Sequence, residues 1–132
     1  MNRTVHLIVN PFGGTQDNRA LAHKARSTLN DHGIKVNVDF SEHKGHAMKV
    51  ARSLAYAPEK TICGLGGDGT MHEIINGIMC RPPEERMPVG LLPGGTGNSF
   101  LEDVGVFNFN DALGMIIRAD HTNIDLFKVH LD

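Results

Sequence analysis

One carboxylate stands inside a run of glycines. In Thr61–Gly77, T-I-C-G-L-G-G-D-G-T-M-H-E-I-I-N-G, Asp68 is flanked by Gly66, Gly67 and Gly69. Glycines remove the Cβ atoms that would keep a ligand away from the backbone. The turn they form then delivers the first amide N–H groups of a helix, which have no intrahelical partner and lie at the positive end of the helix dipole. That arrangement suits a phosphate. An acid among groups that attract anions is unfavourable unless a divalent cation or a proton transfer employs it. Asp68 is therefore the candidate catalytic residue. Its plainer role is to cap the helix that follows, since Asp is a favoured N-cap; one role does not exclude the other. The hydroxyl of Thr70 adds a further donor.

The elements around this stretch alternate. Thr61–Leu65 reads as a short apolar strand, and Met71, Ile74, Ile75 and Ile78 follow the spacing of one helical face. Val5–Asn10 is nearly continuous in apolar residues, as a strand covered on both faces would be. It runs into a second glycine loop, Asn10-Pro11-Phe12-Gly13-Gly14. A helix is expected from about Arg19 to His32, with Leu21, Ala25, Thr28 and Leu29 along one side and Gly33 in the left-handed position after it. Ile34–Phe40 alternates apolar and polar, which predicts a strand with one wetter face, nearer an edge. Ser41 to Gly45 turns the chain, and Ala47, Val50, Ala51 and Leu54 mark a helix that ends before Pro58. Pro88–Leu92 is a fourth short strand leading to a third glycine loop, Pro93-Gly94-Gly95-Thr96-Gly97-Asn98. Helices are expected from near Asn98 and over about Asn110–Ala119, and an extended segment over Thr122–Leu131. The alternation predicts an α/β fold: an open, mostly parallel sheet with helices on both faces. Ligands of such sheets gather beyond the carboxyl ends of the strands, so the three glycine loops should share one rim.

The totals exclude several classes. A chain of 132 residues is one domain's worth and can bury a core without disulfides. The formal charge is −2 with scattered basic residues, which gives no footprint for nucleic acid. Cys63 and Cys80 form no ligand pattern, and a reduced cytoplasmic setting is the simplest reading. Val5–Val9 is too short for a signal peptide, and no run approaches the roughly 18 apolar residues of a membrane span. Any lipid must then be met from the aqueous side. His43 and His46 lie close enough for zinc, but no second ligand pair stands out. Arg3, Arg19, Lys24, Arg26, Arg52, Arg81, Arg86 and Arg118 read as solvated charges. No lysine lies inside a glycine loop, so the G-K-[ST] phosphate loop is absent.

Four pieces together resemble the catalytic domain of the diacylglycerol kinase family, which includes sphingosine, ceramide and bacterial lipid kinases. They are N-P-F-G-G at Asn10–Gly14, S-E-H-K-G-H-A at Ser41–Ala47, G-G-D-G-T-M-H-E-I-I-N-G at Gly66–Gly77, and L-P-G-G-T-G-N at Leu92–Asn98. They stand in the family's order across nearly the whole chain. The resemblance implies the Rossmann-like nucleotide-binding half of an ATP- and Mg2+-dependent kinase that transfers the γ-phosphoryl group to a lipid hydroxyl.

Carried over by position, it places the nucleotide on Asn10, Pro11, Phe12, Gly13 and Gly14; on Ser41; on Gly66, Gly67, Asp68, Gly69, Thr70, Met71, His72 and Glu73; and on Gly95, Thr96 and Asn98. Asp68 matches the acid linked to magnesium or to activation of the acceptor hydroxyl. Glu73 would complement the helix dipole or contact a ribose or metal-bound water; His72 would reach a phosphate or lie on the solvent face. Ser99-Phe100-Leu101 departs from the family's Asp-Phe-Ala. Relatives continue into a second, mostly β domain, whose opening Ile124–Val129 resembles. Residues 1–132 then correspond to an isolated nucleotide-binding half, with ATP or ADP, a lipid substrate at the membrane surface and the C-terminal domain as its partners. Pairing of two copies is left open. Two other readings stand beside this one: a kinase acting on NAD through the related G-G-D-G turn, and a non-catalytic nucleotide-binding module.

Overall fold

The computed structural model describes residues 3–11, 17–94 and 108–118. Four strands form a sheet: β1 (Thr4–Val9), β2 (Lys35–Phe40), β3 (Lys60–Gly66) and β4 (Val89–Pro93). Among the described residues four α-helices accompany them: α1 (Asn18–Asp31), α2 (His46–Ser53), α3 (Asp68–Met79) and α4 (Phe109–Arg118). The strand order is β2-β1-β3-β4, and each neighbouring pair is parallel. The continuous apolar run of β1 thus lies in the interior of the sheet and the alternating run of β2 at an edge, as the two patterns predict.

Two apolar layers enclose the sheet. On one face Val5, Leu7 and Val9 of β1 join Val36, Cys63, Leu65 and Leu92 under α1 and α4. On the other, Ile8 and Ile62 meet Ala47 and Ala51 of α2 and Ile74 and Ile78 of α3. Burying each of the larger aliphatic side chains contributes roughly 1.5–3 kcal/mol. The edge of the second face is closed by a polar pair, His6 Nε2 to Asp39 Oδ2 at 2.5 Å. Helices therefore cover both faces. Among the described residues no helix is long and apolar enough to cross a membrane.

Local chemistry sets the helix ends. Asp17 accepts the N–H of Ala20 at 3.2 Å and caps α1. At the other end Gly33, at φ 78°, donates to Asn30 O at 2.9 Å, and Ile34 donates to Leu29 O at 3.0 Å. That pair of bonds is a Schellman closure, and it satisfies two carbonyls the helix leaves open. The short helix α2 ends at Ser53 with Leu54 already extended, so Leu54 lies beyond the helix rather than on it.

Two arginines depart from the expectation of solvated charge. Arg3 donates to the carbonyls of Ile116 and Ile117 at 2.7 and 2.9 Å, at the negative end of α4. Arg81 is 8% exposed and donates to Ala51 O, Arg52 O and Glu85 O. It closes the last turn of α2 from the segment that follows α3. Arg86 is exposed but also engages carbonyls, those of Arg81 and Met79. Charge counts in a sequence carry no sign of such carbonyl partners.

The contact of α2 with α3 depends on Gly77. A Cβ there would come within 2.5 Å of the Met48 carbonyl oxygen and 2.7 Å of Ala51 Cβ. Gly77→Ala is expected to cost roughly 1–3 kcal/mol through overpacking, although Ala is the better helix former. Denaturant titration reads this; a midpoint at or above the parent's would contradict the packing. Burial also pushes the Cys63 thiol up from 9.0 to about 12, against a smaller opposing pull from Arg3. The unfolded chain releases this proton first, so Cys63 adds stability below pH 9 that is lost as pH rises from about 9 towards 12. Cys63→Ala is expected to flatten the stability profile across that interval; an unchanged slope would show the thiol is not desolvated.

Candidate functional site

The register of the sheet brings the strand ends level. Val9 pairs with Phe40 on one side and with Leu65 on the other, and Leu65 pairs with Leu92. Hydrogen bonds continue just past these ends. Ser41 N donates to Val9 O at 2.8 Å, Asn10 N to Leu65 O at 3.0 Å, and Gly94 N to Gly66 O at 3.1 Å. The chain moves from β1 to β2 on one side, then crosses β1 to reach β3 on the other. The switch point therefore lies between β1 and β3, where a parallel sheet opens its crevice. The Asn10 segment and the G-G-D-G turn both leave the sheet there.

The turn is built for close approach. Gly67 is the N-cap of α3, with extended backbone at φ −97° and ψ −164°. Asp68 is the first helical residue, so the capping role considered for it belongs to Gly67. It is partly buried and lines a cleft together with Gly64, Gly66, Gly67, Thr70, Met71, Leu91 and Leu92. Two of the glycines serve different ends. A Cβ on Gly66 would meet Thr70 Oγ1 at 2.5 Å, so Gly66 is required by the fold. A Cβ on Gly69 would meet nothing within 4 Å. Gly69 is exposed at the helix N-terminus, and the space above it is open to a ligand.

Glu73 has a partner that sequence reasoning missed. Its Oε1 accepts the N–H of Gly45 at 2.9 Å. Gly45, at φ 89°, is the N-cap of α2 and ends the Ser41–Gly45 turn. The carboxylate on α3 thus supplies a side-chain cap that the residues flanking α2 do not, and ties that turn to the G-G-D-G helix. The Ser41 hydroxyl is turned back to Val9 O at 3.3 Å. His43 and His46 stack at 5.2 Å, with each Nδ1 bonded to backbone of the same turn: His46 accepts from Glu42 N, and His43 bonds Lys44 O. Both rings are thus engaged with the turn's own backbone.

The other expected positions divide. Asn10, Pro11, Ser41 and Gly66–Glu73 lie at the rim or on the first turns of α3, but His72 faces solvent and does not line the cleft. Thr70 is buried against Gly66. Phe12, Gly13, Gly14, Gly95, Thr96 and Asn98 lie outside the described residues. So do the helix expected near Asn98 and the extended segment at 122–131. Asn18, not among the expected residues, lies at the joint of the first and third loops: its Nδ2 donates to Asn10 O at 2.6 Å. Its signal was present, since Asn18 falls four residues before Ala22 and seven before Ala25, on the apolar stripe of α1.

Among the described residues no group of three or more His, Cys, Asp or Glu side chains could hold a metal. Asp68 is the acid among those lining the cleft. That donor set fits a cation held by one carboxylate and by phosphate oxygens, which is how Mg2+ is commonly bound, and does not fit an all-protein cage.

The family model described as diacylglycerol kinase catalytic domain matches residues 4–129. Human sphingosine kinase 2 is 35% identical over 83% of this chain and 17% of its own length. The protein named Probable lipid kinase YegS-like of Yersinia enterocolitica is 28% identical over 98% of this chain and 43% of its own. The crystal structure of a diacylglycerol kinase from Bacillus anthracis superposes with a TM-score of 0.75 at 31% identity, covering 89% of this chain and 42% of that one. The chain thus spans less than half the length of each of these relatives.

Glycine and glutamate substitutions separate the roles assigned above. Gly69→Ala is expected to fold with stability equal to or up to about 1 kcal/mol above the parent, because Ala favours the helix, while weakening phosphate-ligand binding. Binding unchanged in that variant would show that nothing approaches the turn there. Glu73→Gln keeps an acceptor for the Gly45 N–H and should retain most stability, whereas Glu73→Ala should lose roughly 1–2 kcal/mol with the cap. Equal thermal midpoints for the two variants would refute the capping role.

Proposed function

The chain belongs to the diacylglycerol kinase catalytic domain family, and from that premise we propose that its rim holds the triphosphate of ATP for transfer to a lipid hydroxyl. The observation that carries this reading is the cleft at the switch point: an amide-bearing glycine turn at a helix N-terminus, with Asp68 beside it. Phosphoryl transfer asks a protein mainly for positioning and charge stabilisation. The first N–H groups of an α-helix point out of its N-terminal end and suit phosphate oxygens. The open space above Gly69 admits them. Phe12, Gly13, Gly14, Gly95, Thr96 and Asn98 complete the nucleotide contacts in this reading.

In the reaction, the lipid hydroxyl oxygen forms a bond to the γ-phosphorus as the bond to the β,γ-bridging oxygen breaks, and ADP leaves. Asp68 organises the acceptor hydroxyl, taking its proton, or holds the cation. Mg2+, when bound, would neutralise charge between the β- and γ-phosphates. Ser41 and Gly45 border the nucleotide, and Glu73 fixes that border. The acceptor is a diacylglycerol-like or sphingoid-like lipid, met at a membrane surface from the aqueous side. A reducing, cytoplasmic setting fits the unpaired thiols of Cys63 and Cys80.

Because the relatives are at least twice as long, residues 1–132 alone are expected to bind ATP or ADP weakly and to turn over little lipid. Catalysis is tested in the protein carrying this domain together with a lipid-binding half. Asp68→Asn there should lower lipid phosphorylation by roughly 100-fold or more with the thermal midpoint retained. A parental rate in that variant would remove Asp68 from the chemistry. Phosphorylation of NAD in place of lipid would sink the choice of acceptor.

A further inference from the structure

Asn18 is the first residue of α1 and is 1% exposed. Its two amide atoms have unlike surroundings. Nδ2 donates to the Asn10 carbonyl at 2.6 Å. Oδ1 has no hydrogen-bond partner among the described residues. It lies against the backbone of Gly94, where a Cβ would come within 2.7 Å of it, and the same Cβ would collide with Leu65. One side chain therefore touches the exits of β1 and β4, beside the end of β3.

Such an amide is a poor means of stabilising a fold. The single neutral hydrogen bond it makes returns less than the buried, orphaned oxygen costs. An apolar side chain of similar size would pack at least as well there, and Ala22, Ala25 and Leu29 on the same stripe are apolar. What only the amide supplies is placement. Asn10 is the residue at which β1 gives way to the first glycine loop. Its N–H is held by Leu65 O and its carbonyl by Asn18, so both of its peptide groups are oriented as the chain enters Pro11. The close seat of Oδ1 on Gly94 fixes the start of the third loop against the first.

We infer that Asn18 is a positioning residue of the nucleotide site, acting through the Asn10 carbonyl and the Gly94 backbone without touching the ligand. The inference rests on the nucleotide reading above. Loosening this joint leaves Asn10 and Gly94 less fixed, so that ordering them costs more on binding, and affinity falls without any change in the reacting groups.

Calorimetric titration of Mg–ATP into Asn18→Leu, Asn18→Ala and the unsubstituted protein tests it. Both variants should keep a thermal midpoint no more than about 2 °C below the parent's. Both should bind ATP roughly threefold to tenfold more weakly. In the protein with its lipid-binding half, KM for ATP should rise by the same factor, while kcat and KM for lipid stay at parental values. Parental ATP affinity in the variants would overturn the inference and leave the nucleotide reading intact. A large fall in midpoint in both variants, with affinity lost in step, would make Asn18 structural and overturn it equally. Failure of the unsubstituted protein to bind ATP would remove the nucleotide reading and this inference together.

Discussion

β1 pairs with β3 in parallel, Thr4 against Lys60 through Val9 against Leu65, and this ladder sets both the core and the rim. Pairing Val9 with Leu65 ends both strands at one level. The next hydrogen bond, Asn10 N to Leu65 O, carries the ladder one residue beyond. A slip of one residue would turn Val5, Leu7 and Val9 out of their apolar layer and Ile8 into it. It would also separate the first loop from the G-G-D-G turn. Core and site are therefore specified by the same register, and neither can shift without the other.

The loops at that rim are held by side chains that reach across elements. Glu73 on α3 caps α2 through Gly45, and Asn18 on α1 holds the end of β1. Arg81 closes α2 from the segment beyond α3, and Arg3 closes α4 from the start of β1. A site whose ligand contacts come mainly from backbone amides needs such fixing, because loops without it lose more freedom on binding. Gly66 and Gly69 divide in the same way: the fold requires the first, and only the second leaves open space at the turn.

Much of this was legible in the sequence because it rests on local chemistry. The period-two pattern of Ile34–Phe40 marked an edge strand, and the apolar run of Val5–Val9 an interior one, since burial on one or two faces is written into the alternation. Gly33 announced the end of α1 because few other residues take its backbone angles without strain. The G-G-D-G turn was recognisable because few residue types allow such an approach. Tertiary partners were not legible. Arg81 looks like any surface charge until Ala51 and Arg52 are brought beside it. Glu73 looks like a dipole-complementing or ligand-facing acid until Gly45 lies 2.9 Å away. Asn18 was hidden for a related reason: it falls just before the helix expected from Arg19, and its residue type argued against burial.

In the proposed reading, backbone amides at the start of α3 receive the phosphates beside Asp68. Amide NMR of the labelled protein, titrated with a non-hydrolysable ATP analogue and Mg2+, tests it residue by residue. The largest shifts are expected at Gly67, Gly69 and Thr70, with smaller ones at Asn10 and Ser41. Saturable shifts confined to the opposite end of the sheet, around Tyr56 and Met79, with the α3 amides unmoved, would contradict it.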